Sequence, residues 1–256
     1  MTTISEQLDA NVIGKLTYLP ERLGMKVFED ERIVTVNTGI PSDMFNVVCL
    51  KEYDADWQTA QDMFDAAGLP FALQYGFGNN KEKREDFIEK SCVKSEEVES
   101  GMFMDISALS DVVHCAELEI LQVTDSRTLR DFITVYKGII PDDGAAIEQF
   151  YSAAAPFIIN SDSALKLFVG YIAERPIATG ALFLHADVAG IWDVTVLPNF
   201  RRRGIATDMV TRLLIQARDV YKYHTSVLTA SDAGEKVYCK MGFQKIKEFY
   251  IRNVVG

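Results

Sequence analysis

Cysteine and histidine are scarce in this 256-residue chain, with four of the first and three of the second. Cys49, Cys92, Cys115 and Cys239 are far apart and show no C-x-x-C spacing, and His114, His185 and His224 are equally scattered. Neither a disulfide framework nor a zinc site is indicated, so buried thiols and no metal are the expectation. No apolar run reaches the length of a membrane span, and the opening MTTISEQLDANVIGK lacks the basic-then-apolar pattern of a secretory signal. The chain therefore reads as cytoplasmic, with no membrane partner. A basic surplus is missing too: 26 Lys+Arg stand against 37 Asp+Glu, a net charge of -11. Phosphate-backbone binding needs basic excess on some face, which argues against a nucleic-acid partner. Low-complexity tracts and short-period repeats are absent, as are G-x-x-x-x-G-K-[ST] and a G-x-G-x-x-G turn after a strand.

What is present is a composition of 48% hydrophobic and 25% charged residues, long enough for one large domain or two ordinary ones. The acidity is confined to the first half. Residues 1–115 carry 10 Lys+Arg against 21 Asp+Glu, whereas residues 116–256 carry 16 of each. An acidic half either suits a cationic substrate or serves solubility alone. Within it, DADWQTAQDMFDAAGLP reads as a helix with Asp54 or Asp56 at its start and Gly68 and Pro70 at its end. RIVTVNTG and FNVVCL read as strands, and GNNKEKREDFIEKSCVKSEEVESG as a short helix followed by an exposed connection. From Glu117 onward the pattern is β-α-α-β-β-β-α-β-α-β. Its two early helices carry Leu129, Phe132, Ile133 and Tyr136, then Ile147, Phe150 and Tyr151, on one face. Turns are expected at Glu174-Arg175-Pro176 and around Ala189-Gly190. A helix over about 203–221 has the apolar stripe Ile205, Met209, Leu213, Ala217 and Val220.

The stretch VLPNFRRRGIATDMV sets three arginines and a glycine where a strand gives way to that helix. An arginine run is ordinarily a solvated surface. Here the helix's first unpaired N–H groups would point above the strand end, where they attract anions, and the small Gly204 and Ala206 would let a phosphate oxygen approach the backbone. The arginines add charge and forked donors. With the strand before it and Y-C-K-M-G-F about thirty residues after it, the second half resembles the GCN5-related N-acetyltransferase (GNAT) family over roughly residues 117 to 253.

That resemblance implies an α/β (α+β) GNAT fold, with a central mixed, mostly antiparallel sheet flanked by helices. It also implies acetyl-CoA as co-substrate and direct attack by a neutral amine on the thioester. Val194, Thr195 and Val196 occupy the strand whose backbone should pair with the pantetheine arm, the N–H near Val196 polarising the thioester carbonyl. Arg201, Arg202, Arg203, Gly204, Ile205, Ala206 and Thr207 should hold the diphosphate. Ser231 stands where the family often has asparagine and can still offer a hydroxyl to the pantetheine. Tyr238 stands at the tyrosine that protonates the leaving thiolate; its other reading is a half-buried helix tyrosine. Asp193 is either the acidic residue that draws the amine proton through water or an ordinary polar residue at a strand crossing.

In residues 1–115, TVNTGIPSDMFNVV and DWQTAQDMFDAAGLPFAL resemble the amino-terminal half of two-domain relatives, a degenerate copy of the fold without a cofactor turn. The expected division is therefore 1–115 and 116–256, with the first part a wall or lid. No motif marks the acceptor pocket: small amine, peptide N-terminus, lysine and antibiotic all fit the class. A different class also fits, namely a non-catalytic acyl-CoA-binding or protein-interaction module that keeps the cradle.

Overall fold

A computed structural model describes residues 2–78, 81–91, 97–109 and 115–254; Cys92 and His114 lie outside them. The chain forms two compact units that interleave in sequence. The first comprises Met1–Met102, Thr229–Cys239 and Gln244–Gly256, and the second Phe103–Leu228 and Lys240–Phe243. This spatial division does not coincide with the 1–115/116–256 division of the sequence.

The first unit holds α1 (Ile4–Arg22), β1 (Lys26–Glu29), β2 (Ile33–Asn37), β3 (Val47–Leu50), α2 (Trp57–Ala67), β4 (Phe71–Tyr75), α3 (Lys81–Ser91) and the start of β5 (Glu97–Asp105). To these the chain returns late with the end of β10 (Thr225–Ala230), most of α8 (Asp232–Met241) and all of β11 (Gln244–Val254). Within the unit the strand order is β1-β2-β3-β4-β11-β5. Helix α1 opens with a capping box, in which Thr3 and Glu6 satisfy each other's backbone N–H. The expected helix over DADWQTAQDMFDAAGLP is α2, which starts at the cap Asp56 and stops at Gly68 in the left-handed region, φ 62°. Phe64 from α2 packs with Val48, Leu50, Phe71, Leu73 and Tyr75 of β3 and β4. The exposed connection expected after α3 is corrected at its end: Glu97–Ser100 belong to β5, and Ser100 and Met102 are buried.

β11 is zipped antiparallel to β4, from Tyr250↔Tyr75 to Val254↔Phe71. A second tie fixes it. The ammonium of Lys247 on β11 contacts both carboxylate oxygens of Asp9 on α1 (2.5 and 2.7 Å) and the carbonyl of Gly78 (3.0 Å), while the Gly78 N–H donates to Asp9 (2.9 Å). Burial pushes the Asp9 carboxyl up and the Lys247 ammonium down, against their mutual attraction. Such a pair is costly to break from one side, because the remaining charge is left buried.

The second unit contains the rest of β5, then β6 (Glu119–Gln122), α4 (Ser126–Lys137), α5 (Gly144–Ala153), α6 (Ala155–Ile158), β7 (Leu165–Ile172), β8 (Arg175–His185), β9 (Val188–Val196) and α7 (Ile205–Ile215). Its strands run in the order β10-β9-β8-β7-β6. β6 with β7, β7 with β8 and β8 with β9 are antiparallel, and β9 with β10 is parallel. The arrangement is the mixed, mostly antiparallel sheet with flanking helices that the resemblance implied. Leu129, Phe132, Ile133 and Tyr136 of α4 and Ile147, Phe150 and Tyr151 of α5 are all buried.

Three details depart from the sequence reading. The hairpin turns fall at Ala173-Glu174 and Ala186-Asp187, each with two positive φ values, a geometry that follows the twist of the flanking strands. Ala189-Gly190 are instead strand residues of β9. The stripe on α7 ends at Ala217, for Val220 is 56% exposed. Residues Gln216–Val220 form a π-helical turn whose wider i→i+5 bond, Tyr221 N–H to the Gln216 carbonyl, rotates Val220 off the buried face. Finally, Cys49 and Cys115 are buried as expected, but Cys239 is exposed.

Candidate active site

Strand β9 carries the candidate site because it is irregular. Its register with β8 shifts between Thr179 and Ala181, so Asp193 and Val194 stand opposite the single Gly180. Asp193 takes up the left-handed conformation, φ 54°, which a non-glycine residue adopts at a cost. The surroundings hold it there. The Thr179 hydroxyl donates to the Asp193 carbonyl (2.8 Å) and shares a hydrogen bond with the Thr195 hydroxyl (2.7 Å). The phenol of Tyr136 donates to one oxygen of the Asp193 carboxylate and that of Tyr151 to the other, both at 3.3 Å. Burial, and then the Asp193 charge, push both phenols well above their ordinary range, so they stay protonated and donate to the carboxylate. Gly180 lets α7 approach: a Cβ there would lie 2.9 Å from Leu213 and 3.0 Å from Met209.

Beyond the bulge, no pairing of β9 with β10 is seen among the described residues. β9 pairs with β10 at Ala189↔Ser226 and Gly190↔Val227, near its own start. Leu197 donates its N–H to Ile177 on the β8 side (2.9 Å), so by strand alternation the N–H of Val196 points away from β8. Val194 and Thr195 are half-buried and Val196 is buried.

After a 3-10 turn at Pro198–Phe200, Arg201 folds its Nε–H back onto the Val196 carbonyl (3.0 Å). Arg202 at φ 64° and Gly204 at φ 79° then turn the chain into α7. Gly204 is the N-cap and supplies no side-chain acceptor. The first helical bond is made by the Asp208 N–H to the Gly204 carbonyl (3.0 Å), which leaves the N–H groups of Ile205, Ala206 and Thr207 as the donors of the helix end. Arg201, Arg202 and Arg203 are exposed; Arg203 makes a loose contact with Glu117 at 3.7 Å. This second-unit geometry puts uncapped donors, small residues and cations together, a combination suited to an anion.

Ser231 and Tyr238 lie in the first unit. Ser231 is exposed and its carbonyl accepts the Glu235 N–H (2.9 Å), which starts α8. Tyr238 is half-buried, its ring beside Gly234, where a Cβ would lie 3.2 Å from the ring. Burial first, and the Glu99 carboxylate second, push its phenol up to about 12. Sequence reasoning missed Glu99 and the phenol pair on Asp193. It placed Tyr136 and Tyr151 on buried helix faces, but no spacing announces which buried hydroxyl meets which carboxylate.

Residues 132–243, which include β9, α7, Ser231 and Tyr238, match the model of the Acetyltransferase (GNAT) family. This segment is a GNAT domain. GNAT-fold structures also match nearly the whole chain. A GCN5-related N-acetyltransferase from Kribbella flavida is 11% identical with a TM-score of 0.68, covering 96% of each chain. A conserved protein of unknown function from Staphylococcus epidermidis is 14% identical with a TM-score of 0.67, covering 91% of this chain and 95% of that one. A tandem GNAT protein from the clavulanic acid biosynthesis pathway is 8% identical with a TM-score of 0.58, covering 87% and 79%. At such identities the likeness is one of fold. No curated protein matches the chain. The GNAT domain places the chain among the acyltransferases in general. Among the described residues no helix is long and apolar enough to cross a membrane, and no group of three or more His, Cys, Asp or Glu side chains is placed to hold a metal ion.

Proposed function

We propose that the chain is a cytoplasmic, acetyl-CoA-dependent N-acetyltransferase that moves an acetyl group to a primary amine by direct attack. The observation that carries this reading is the uncapped start of α7 behind the Arg-Gly turn, inside a GNAT domain and following a stretch of β9 where no pairing with β10 is seen among the described residues. Arg201 through Thr207 bind the diphosphate, and Val194 to Val196 pair with the pantetheine through the backbone. The Val196 N–H polarises the thioester carbonyl, Ser231 offers a hydroxyl to the pantetheine, and Tyr238 returns a proton to the thiolate. Asp193 receives the amine proton through water. Residues 1–115 are a degenerate copy and 116–256 the catalytic part, and the acidic surplus of the former favours a cationic small-molecule or peptide amine.

The test is release of free CoA thiol from acetyl-CoA by the full chain across a panel of amines, with mass spectrometry of the acceptor. Acetylated product in at least one case supports the reading. The engagement of both Asp193 oxygens favours a second one, a module that binds acyl-CoA without turnover. Saturable CoA binding with no thiol release from any amine would establish that alternative.

A further inference from the structure

The bulge on β9 is held at two points, and both lie inside the second unit. The first point is the Asp193 side chain. One phenol from α4, Tyr136, and one from α5, Tyr151, donate to its separate oxygens at 3.3 Å each. Both rings are buried in one aromatic cluster, their centroids 5.7 and 5.3 Å from that of Phe132 and 5.9 Å from each other, so ring packing sets where each hydroxyl stands. The second point is the Asp193 main chain. The buried Thr179 hydroxyl gives its single proton to the Asp193 carbonyl (2.8 Å), so in its 2.7 Å bond with the Thr195 hydroxyl it accepts. Thr195 faces Thr179 in the strand register and Val196 faces Ala178, so this pair of hydroxyls fixes the backbone where β9 resumes its pairing with β8 after the bulge.

We propose that these two anchors have separate duties: Tyr136 and Tyr151 position the Asp193 carboxylate for the acceptor, and Thr179 positions the backbone of residues 194–196 for the cofactor. The proposal rests on the N-acetyltransferase reading and adds three positioning residues to it. An aspartate side chain turns about two torsions, and one phenol at each oxygen fixes both. Removing one phenol hydroxyl loosens the carboxylate while the Thr179 bond to the main chain stays intact. Removing the Thr179 hydroxyl does the reverse. The Asp193 carbonyl and the Thr195 hydroxyl lose that partner, and the left-handed backbone at φ 54° loses a support, so residues 194–196 shift against β8. A donor lost at the first anchor therefore shows in turnover, and one lost at the second shows in cofactor binding.

Calorimetric titration with CoA and steady-state kinetics of the full chain, using the acceptor found in the amine screen, separate the duties. Tyr136→Phe and Tyr151→Phe keep the rings and remove only the hydroxyls. Each should lower kcat roughly fivefold or more, with the CoA dissociation constant changed by less than about twofold. In an Asp193→Asn background the same substitutions should cost no further rate, whereas a general packing defect would cost as much there as in the parent. Thr179→Val should weaken CoA binding roughly fivefold or more, and Thr179→Ser, which restores the hydroxyl, should recover most of it. Equal loss of kcat and CoA affinity in the phenylalanine variants overturns the proposal, as do full additivity with Asp193→Asn and an unchanged CoA affinity in folded Thr179→Val. If the phenylalanine variants turn over as fast as the parent, the proposal falls and the transferase reading stands. A parent that binds CoA and releases no thiol with any amine removes that reading, and the duty of the phenols with it.

Discussion

Each unit of the molecule contains a strand, a helix and a second strand parallel to the first, and the two versions differ at the points an anion would use. In β3-α2-β4 the strands pair at Val47↔Ala72, Val48↔Leu73 and Cys49↔Gln74. The helix between them is closed by Asp56, whose carboxylate accepts the Thr59 N–H (3.3 Å) and hydroxyl (2.6 Å). In β9-α7-β10 pairing is limited to two positions near the start, a bulge follows, and the helix begins at a glycine with no side-chain cap. The first helix has its own carboxylate at its start, and the second has no side-chain cap. The comparison shows that a shared topology does not make an anion site. The site needs a helix terminus that no side chain caps.

The largest way to break the comparison is to separate the halves. Residues 116–256 expressed alone would carry β11 without β4 and Lys247 without Asp9, so the fragment should be recovered mainly as aggregate while the full chain remains soluble. Size-exclusion chromatography of the two decides it, and a folded, fully active fragment would reduce the first half to a passenger. Tyr238→Phe comes next. It should lower kcat by roughly ten- to a thousandfold with little change in CoA affinity. Because the phenol is pushed up to about 12, it stays protonated through the neutral range, so no basic limb in the parent's pH–rate profile should trace to it below about pH 11. Equal loss of binding and rate would make Tyr238 a packing residue.

Gly204→Val should weaken CoA binding more than tenfold by calorimetry, since a branched side chain at φ 79° both strains the turn and covers the N–H groups behind it. An unchanged affinity in a folded variant would move the diphosphate elsewhere. Asp193→Asn should slow turnover most at low pH, where the acceptor is mainly ammonium, and the defect should shrink as pH rises. A defect independent of pH would remove Asp193 from the proton path. The smallest effect sharpens the contrast: Asp56→Ala should cost about 1 kcal/mol of cap energy, a melting-temperature loss of roughly 2–4 °C, without creating CoA binding in the first unit.

The second half of the fold was legible because its strands are bounded by turn residues and its helices keep a 3.6-residue stripe; Val220, the turn positions and the burial of Cys239 were misplaced. The first half was harder. Helix α1 interrupts its pattern with Gly14, Thr17 and Pro20, and the Thr3-x-x-Glu6 capping box was the signal to use. β4 is buried at four of five positions, so no alternation marks it. Of the candidate site, the Arg-Gly turn could be read because sequence neighbours build it. The phenols on Asp193 and the carboxylate beside Tyr238 could not, since each pairing joins residues tens to over a hundred positions apart, as Tyr136 with Asp193 does across 57.

The late return of β11 also sets an order for biosynthesis. A sheet in which β4 is paired with residues 250–254 cannot be finished when the first hundred residues leave the ribosome. At about 5–20 residues per second, the interval from β5 to β11 lasts on the order of ten seconds. Throughout it, one margin of β4 and the carboxylate of Asp9 await partners not yet translated. The nascent chain therefore depends on whatever shields that margin until the final strand arrives.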